Sequence, residues 1–295
     1  MVTNTPYENI FTSHAHGDHI AGFSARRSTK YSLLSTKEIF EARFERKVTE
    51  HKSMEYEEKV RIGDVEVVAH NAGHMLGSTQ FEIKTNEGII VYTGDINCND
   101  TLTTKAAKPI TCDILITEAT YGRPDLIFPP REETYLKILK WVIEKMEEGT
   151  VPAFNVYSAG KAQELIRLIN QFTRIRVVSH PKIIKICEIY GRHGIELDVT
   201  SQYPKEQQDK FVEIKQRNST STNNTSARAT GWAVKFTERK GVFPLSSHAD
   251  FYQLLNYVNK SRPQQVFTYC GYAPTFAYYI KKRLAINASP LREMK

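Results

Sequence analysis

The stretch FTSHAHGDHIAGF, residues 11–23, decides the fold, because six of its positions hold four metal-ligating side chains: His14, His16, Asp18 and His19. The whole chain of 295 residues contains nine histidines, so composition alone does not explain three of them in one turn. Imidazole nitrogens and carboxylate oxygens are ligands that suit zinc, manganese and non-haem iron. A short strand-like run precedes the stretch, which therefore predicts a metal site on a loop that leaves a strand.

The spacing within this loop favours two ions over one. Alternate residues of a tight loop point in different directions, so His14 and His16 can bind one ion while Asp18 and His19 bind a second. The alternative is a chance cluster of histidines. Further ligands elsewhere in the chain would decide between the two interpretations.

Two such ligands lie in a segment that alternates polar and apolar residues. Residues 56–100 contain turn signals at Gly63-Asp64 and at Asn86-Glu87-Gly88, which predict a run of antiparallel strands. His74 in AGHMLGS and Asp95 in VYTGD stand at strand ends within it. Taken singly, each has an ordinary structural explanation, such as a hydrogen-bonded histidine beside a glycine turn or an aspartate that caps a helix.

Length and composition indicate an ordinary globular protein, with 40% hydrophobic and 25% charged residues and a length that suits two domains. We expect no signal peptide, no transmembrane helix and no membrane partner, because no apolar run is long enough. The four cysteines are widely spaced, without a CxxC pair, which excludes a disulfide framework or zinc ribbon. A cytoplasmic location fits this pattern.

The net charge of +7 is unevenly distributed. Residues 122–240 contain 20 Lys and Arg against 14 Asp and Glu, which leaves 20 against 19 for the rest of the chain. A basic surface of this kind suits a phosphate backbone, and a solvated face without a partner is the alternative.

The order of HAHGDH, GHMLGS and YTGD, each just past an apolar run, resembles the metallo-β-lactamase fold. That resemblance implies an α/β protein, an αββα sandwich with its metals at one edge of two packed sheets. It also implies two zinc ions, with manganese as a substitute: the first bound by His14, His16 and His74, the second by Asp18 and His19, with Asp95 between them.

Later motifs resemble the β-CASP nucleases of this fold, a group that includes ribonuclease J, Artemis and the pre-mRNA 3′-end endonuclease. The matching stretches are ITEATYG, YSAGKAQELIRLI, ARATGWAVKF and PLSSHADFYQLLNYV, and the likeness is greatest to short prokaryotic members described as ligase-associated exonucleases or mRNA 3′-end processing factors. The resemblance implies that Glu118 follows the fourth metal motif and that His248 approaches the scissile phosphate. The expected catalytic residues are Asp18, Glu118 and His248.

The long segment between these motifs predicts an inserted cap. We expect a metallo-β-lactamase domain at 1–121 and 241–295, and an α/β β-CASP cap at 122–240. ETYLKILKWVIEKMEEG predicts a helix, whereas TVPAFNVYS, IRVVSH and IELDVT predict strands of a parallel sheet. Residues 218–231, rich in Ser, Thr and Asn, predict a loop.

Three residues are candidate contacts for nucleic acid. Lys161 stands at the start of the helix predicted for SAGKAQELIRLI, where an anion is favoured, although a solvated lysine is an equal alternative. Arg228 lies in the polar loop and Ser247 directly precedes His248. A single strand between the cap and the metals would stack its bases on aromatic side chains.

Two features depart from the family pattern. Members that act on RNA place a metal-binding histidine before the glycine of the last motif, where this chain has Cys270 before Gly271. Its thiolate can replace the imidazole, or Cys270 is a small packing residue and the second metal site is weak. The sequence also begins shortly before the first motif, so we expect a short form or a lost start, with a homodimer or covering loop over the exposed sheet edge.

These features predict a zinc-dependent nuclease that hydrolyses phosphodiester bonds of single-stranded RNA or DNA, with exonuclease action favoured. The first alternative is a nucleic-acid-binding protein of the same fold with a weakened second metal site. The second is a hydrolase of small molecules, which would not need a basic cap.

Overall fold

The structure is a computed structural model that describes residues 7–205, 210–217, 226–236 and 239–291. Six α-helices lie in these ranges: α1 Leu34–Phe44, α2 Arg131–Glu147, α3 Lys161–Phe172, α4 Pro181–Arg192, α5 Phe251–Ser261 and α6 Ala273–Leu284. The described strands are β1 Asn9–Phe11, β2 Thr29–Leu33, β3 His51–Met54, β4 Lys59–Ile62, β5 Val65–Asn71, β6 Thr79–Thr85, β7 Gly88–Tyr92, β8 Ile114–Glu118, β9 Ala153–Val156, β10 Arg176–Ser179, β11 Phe211–Gln216, β12 Ser226–Ala229, β13 Val242–Phe243, β14 Gln265–Tyr269 and β15 Asn287–Pro290.

The largest sheet has seven strands in the order β15-β14-β8-β7-β6-β5-β4. Strands β4 to β7 form an antiparallel meander, which confirms the strands predicted from the alternating segment. Strands β7, β8, β14 and β15 run parallel to one another. A second sheet, β1-β2-β3, is parallel throughout.

These two sheets pack face to face, with helices outside them. Tyr31 and Leu33 of the small sheet meet Val67 and Phe81 of the large sheet in one buried cluster. Helices α5 and α6 cover the other face of the large sheet, through side chains such as Phe251. Helix α1 follows β2 directly and packs its buried face with Phe23. The layers are therefore helix, sheet, sheet and helix.

Strand direction gathers the predicted motifs at one edge. Strand β5 is antiparallel to β6, which is antiparallel to β7, so β5 runs in the same direction as β7, β8 and β14. The carboxyl ends of all four strands consequently lie at the same edge of the sheet. The segments that leave them carry His74, Asp95 and Cys270, and Glu118 is the last residue of β8.

The chain between β8 and β14 forms a third sheet. Its five strands, in the order β10-β11-β9-β12-β13, are all parallel and pack with α2 and α3 around a separate buried cluster. The parallel sheet was predicted correctly, but IELDVT is not a strand and contributes only an isolated bridge between Val178 and Thr200. Of the predicted loop, residues 226–229 form β12, because Ala227 and Ala229 alternate into the core, and residues 218–225 lie outside the described residues.

The inserted layer contacts the rest of the molecule through helices α1 and α4. Glu38 on α1 pairs with Arg192, at 3.0 Å between Nη2 and Oε1, and with His193, at 2.8 Å between Nε2 and Oε2. Tyr190 is fully buried between the two helices. In the described part of the chain, every helix is too short or too polar to cross a membrane.

Candidate metal centre

The first histidine motif sits on a loop held between the two packed sheets. The amide of Thr12 donates to the carbonyl of Tyr31 at 2.9 Å, and the amide of Thr79 donates to the carbonyl of Ser13 at 2.9 Å. These bonds fix Thr12 and Ser13, the two residues between β1 and His14. The loop is thereby anchored to β2 on one side and to β6 on the other.

The rings of His16 and His74 face each other, and each directs a nitrogen without a proton at the other ring. Nε2 of His16 donates to the carbonyl of Ala159 at 3.3 Å, and Nδ1 of His74 donates to the carbonyl of Ser247 at 2.7 Å, because a carbonyl only accepts. The remaining nitrogens, Nδ1 of His16 and Nε2 of His74, lie 2.9 Å apart. Burial lowers the pKa of both rings well below the usual value, so both are neutral and two lone pairs meet.

His14 and Asp95 complete this group. Nε2 of His14 is fully buried without a hydrogen-bond partner, and it lies 3.4 Å from Oδ2 of Asp95. Nε2 of His74 lies 3.7 Å from the same oxygen. The ligand atoms of all four residues are within 4.8 Å of one another. Three neutral imidazoles and a carboxylate suit a divalent cation, which would pair the orphaned His14 nitrogen and the facing lone pairs.

A second group shares Asp95 with the first. It consists of Asp95, Glu118 and His248, whose ligand atoms also lie within 4.8 Å of one another. Nδ1 of His248 is 2.9 and 3.0 Å from the two carboxylate oxygens of Glu118. Burial lowers the pKa of His248, but the charges of Glu118 and Asp95 outweigh it and raise the pKa to about 9. The carboxylate of Glu118 also accepts from the amide of Ile96 at 2.7 Å.

Asp18 and His19 stand at the outer side of the centre. Nε2 of His19 lies 3.4 Å from Oδ1 of Asp95 and 3.6 Å from Oδ2 of Asp18. The side chain of Asp18 is 73% exposed, and neither residue belongs to the two compact groups. The predicted second ligand set is thus arranged around the His19 ring. Asp18 contacts this ring, and the ring in turn contacts Asp95.

Cys270 lies outside both compact groups in the described residues. It is exposed and adopts a left-handed backbone conformation with φ +58°, followed by Gly271 at φ +48°. Partial burial and the charges of Asp95 and Glu118 raise the pKa of its thiol to about 11. The alternative of a small buried residue does not apply.

The three predicted nucleic-acid contacts occupy different environments. Ser247 binds His74 through its main-chain carbonyl. Arg228 is exposed on β12. Lys161 is 6% exposed, with Nζ 3.7 Å from Oε2 of Glu164 and without a hydrogen bond, and burial lowers its pKa to about 8. The solvated lysine considered from the sequence is therefore wrong.

Lys161 belongs to a buried ionic cluster that joins the insert to the His248 loop. The carboxylate of Glu164 pairs with Arg131 and accepts from the hydroxyl of Tyr135 at 2.6 Å. Arg131 also donates to the carbonyl of Ser246 at 2.5 Å, directly before Ser247. Helices α2 and α3 therefore support the segment that holds His74.

The insert also contributes a cavity beside the metal centre. Its volume is about 460 Å³, and it lies at the carboxyl ends of β9 and β11, lined by Val156, Tyr157, Ser158, Gln216 and Arg217. The Tyr157 ring is 6.1 Å from the His16 ring, and the Arg217 guanidinium lies 5.1 Å from the Tyr157 ring. An aromatic side chain and a cation thus stand next to the first ligand group.

Sequence reasoning missed the contacts made by main-chain carbonyls. Ala159 and Ser247 orient two histidines, but a carbonyl group gives no residue-type signal. The Arg131–Glu164 pair was also missed, although a Glu on the apolar face of α3, among Leu165 and Leu168, was a visible sign of a buried partner.

Comparisons with known proteins agree with this geometry. A protein from Opitutus terrae named "Probable DNA ligase" is 29% identical over 297 aligned residues, which cover 94% of this chain and 28% of that protein. The "RNase J-like protein" of Methanocaldococcus jannaschii is 34% identical over 121 residues, covering 40% of this chain and 29% of the relative. This chain thus spans under a third of the length of either protein.

A solved structure shows the same fold. The crystal structure of a protein of unknown function from Enterococcus faecalis V583 has a TM-score of 0.61 at 16% identity, over 97% of this chain and 79% of that one. The αββα sandwich predicted from the sequence is confirmed, and so is the β-CASP resemblance, since ribonuclease J is one of that group. The Beta-lactamase superfamily domain matches residues 3–162, more than half of the sequence, and the chain therefore belongs to the β-lactamase superfamily.

Proposed function

We propose that this protein is a metal-dependent nuclease that hydrolyses phosphodiester bonds of single-stranded nucleic acid. The observation that carries the proposal is the pair of lone pairs on His16 and His74, 2.9 Å apart beside the orphaned Nε2 of His14. Buried polar atoms of this kind are costly unless they are paired. A divalent cation would be bound by all three nitrogens. Zinc is the ion whose preferred ligands match three imidazoles and a carboxylate.

Each residue has a chemical task in this proposal. His14, His16, His74 and Asp95 would hold the first zinc, and Asp95 with His19 and Asp18 would hold the second. Two bound metals activate a water molecule and stabilise the charge of a phosphodiester. Glu118 occupies Nδ1 of His248, so Nε2 is the nitrogen left to donate a proton to a phosphate oxygen or a leaving oxygen.

The substrate class is inferred from the insert and from the relatives. The cavity with Tyr157 and Arg217 supplies a ring and a guanidinium beside the metals, as single-strand binding requires. The relative named as a DNA ligase matches nearly the whole chain and favours DNA, whereas the RNase J-like relative keeps RNA as an alternative. We favour exonuclease action, because the sequence most resembles the short exonuclease-like members of the group.

The insert is proposed as a cap domain with a revised boundary. Strand β13, Val242–Phe243, pairs with β12 in the parallel sheet, although the sequence places the return to the first domain at residue 241. We therefore propose that the cap ends after Phe243. A limited proteolysis series that cuts only at both sides of 122–243 would support this division.

The test combines metal analysis with cleavage assays. Protein purified without added metal should contain zinc, and end-labelled single-stranded DNA or RNA should shorten progressively from one end. The Asp95→Ala variant should lose metal and at least about 99% of the turnover, because the shared carboxylate is gone. Internal cuts would refute exonuclease action, and full turnover in a metal-free protein would refute the proposal.

The position of Cys270 favours a second candidate, a nucleic-acid-binding protein with a weak second metal site. Cys270 stands where other members supply a histidine, and it lies outside both compact ligand groups of the described residues. Under this candidate the protein would bind one zinc per chain and would retain oligonucleotides without cutting them. One metal ion with measurable cleavage would exclude it.

A further inference from the structure

An exposed aromatic surface lies beside His248, and neither the metal centre nor the cap core uses it. Trp232 is 38% exposed, and its ring lies 6.2 Å from the ring of Tyr272. Tyr121 connects this pair to the metal centre, with ring centroids 4.8 Å from Trp232 and 5.9 Å from His248. We call Trp232 and Tyr272 the aromatic platform.

Close backbone packing fixes the position of both platform residues. Gly231 precedes Trp232, and a Cβ atom at this position would overlap the hydroxyl of Tyr121 and come within 2.9 Å of Phe128. Gly271 precedes Tyr272 at φ +48°, where a Cβ would overlap the main chain of Thr120. Both glycines therefore allow the backbone directly before each platform residue to pack against the segment that follows β8.

Cations accompany the platform. Nζ of Lys235 lies 5.1 Å from the Trp232 ring, 5.7 Å from the Tyr272 ring and 3.2 Å from the Tyr272 hydroxyl. Arg123 lies 4.8 Å from the Tyr272 ring but pairs with both oxygens of Asp125. Among the described residues, no carboxylate lies within salt-bridge distance of Lys235, and its charge also helps to lower the pKa of Asp125.

A purely structural role does not explain the exposure of Trp232. The other tryptophan, Trp141, is 8% exposed and packs on Phe154 and Phe243 in the cap core. Trp232 instead presents its indole to solvent, with a lysine at its side. Exposed aromatic rings with adjacent cations are the features that bind bases and phosphates of a single strand.

We propose that Trp232 stacks a nucleobase of the single strand, that the Tyr272 ring, tilted by 56° to Trp232, borders the same base, and that Lys235 binds the phosphate next to that base. The platform lies on the His248 side of the centre, whereas Tyr157 lies on the His16 side. The strand would then cross the metals with one base held on Trp232. This inference rests on the proposed nuclease function and adds a binding subsite to it.

Tryptophan fluorescence tests the platform directly. The chain has two tryptophans, so Trp141→Phe leaves Trp232 as the only indole. The probes are phosphorothioate oligothymidylate, phosphorothioate oligouridylate, and an abasic phosphorothioate strand of equal length and charge. We expect both base-bearing probes to quench the fluorescence at least twofold more than the abasic strand. Equal quenching by the abasic strand would overturn the proposal.

Steady-state cleavage provides the second readout. Trp232→Ala should raise KM about tenfold, because stacking of one base is lost, while Trp232→Phe should restore most of the affinity. The matched control is Tyr278→Ala, which removes another exposed tyrosine with a lysine over its ring, Lys282 at 5.6 Å, on α6. Its KM should not change. Circular dichroism and metal content confirm that each variant is folded.

The outcomes separate this inference from the nuclease proposal. Selective quenching by bases without cleavage in the wild type would support the platform and refute the nuclease. Normal cleavage with an unchanged KM in Trp232→Ala would refute the platform and leave the nuclease intact. If Trp232→Ala fails to fold, the comparison of base-bearing with abasic probes in the Trp141→Phe protein still decides.

Discussion

The carboxylate of Glu118 holds Nδ1 of His248 between its two oxygens, at 2.9 and 3.0 Å, across 130 positions of sequence. The same carboxylate accepts from the amide of Ile96, the residue after Asp95. One side chain at the end of β8 therefore fixes the returning chain and the loop of the shared aspartate. In the proposed reaction, Glu118 would act through His248.

We expect Glu118→Gln to lower kcat about 10- to 100-fold, because loss of a carboxylate that orients an active-site histidine has effects of this size. KM should change little, since the variant does not touch the platform. The first metal should be retained, since a glutamine side-chain oxygen can still accept from the amide of Ile96 beside Asp95. The control is Glu82→Gln, which alters a similar, partly buried pair with His70, at 2.9 Å, between β6 and β5 of the large sheet. A reduced kcat in both variants would contradict the assignment.

Arg228 and Lys161 should differ in the salt dependence of nucleic-acid binding. Arg228 is exposed, so Arg228→Gln should reduce the slope of log K against log salt by about 0.7 to 0.9, the value of one phosphate contact. Lys161 is buried, and Lys161→Met should leave the slope unchanged. Arg176→Gln, at the other edge of the cap sheet, is the control for Arg228. Filter binding at several salt concentrations measures the slopes, and a changed slope in Lys161→Met would mean that its ammonium reaches the strand.

Glu164→Gln should destabilise the protein by about 3 to 5 kcal/mol, because it leaves Arg131 and Lys161 as buried charges without a counter-ion. Adding Lys161→Met should recover part of this loss. Glu144→Gln, which breaks an exposed pair with Lys140 at 3.8 Å, should cost less than about 1 kcal/mol. Denaturant titration measures all three. A small effect of Glu164→Gln would show that water reaches the cluster.

Cys270→His should strengthen the second metal site. With its pKa raised to about 11, the Cys270 thiol must lose a proton before it can bind a metal, whereas a neutral imidazole supplies a lone pair at once. We expect the variant to bind two metal ions where the wild type binds its second weakly, with higher cleavage of RNA in particular. Cys270→Ser is the control for loss of the thiol. Unchanged metal content and cleavage in Cys270→His would mean that position 270 does not face the site.

His51 should lower the free energy of unfolding in mild acid. Its Nε2 lies 2.9 Å from the hydroxyl of Ser32, and burial together with Lys37 lowers its pKa to about 4. Between pH 6.5 and 4 the unfolded chain binds a proton at His51 and the folded chain does not, so stability falls as the pH is lowered. His51→Gln should reduce the difference in denaturation midpoint between pH 7 and pH 5. Midpoints of both proteins should change in parallel between pH 7.5 and 8.5.

The metal-binding side chains could be predicted because their residue types are rare and close in sequence. His14 and His16 stand in one motif. His74 and Asp95 stand after β5 and β7, and the direction of these strands brings their ends together. The exposure of Asp18 was harder to predict, because the exposure of a loop carboxylate depends on the conformation of the loop. Their roles as ligands remain predictions.

The environment of a charged residue was harder to predict than its presence. Lys161 looked like a surface residue, because lysine is charged, but its burial follows from Glu164 one turn later and Arg131 on another helix. Likewise the polar stretch before Gly231 suggested a loop, although Ala227 and Ala229 alternate as a strand requires. Both features depend on contacts between segments far apart in sequence.

The pairing of β8 with β14 constrains the order in which the chain can fold. Residues 119–264, which include the whole cap sheet, lie between β8 and β14 in the chain. During synthesis, β14 can therefore join the large sheet only after these residues have been made. Closing so long a loop carries an entropy cost that falls when the intervening chain is already compact. We therefore expect refolding of the large sheet to wait for the cap. A substitution in the cap core, far from the metals, would then slow the appearance of activity after dilution from denaturant.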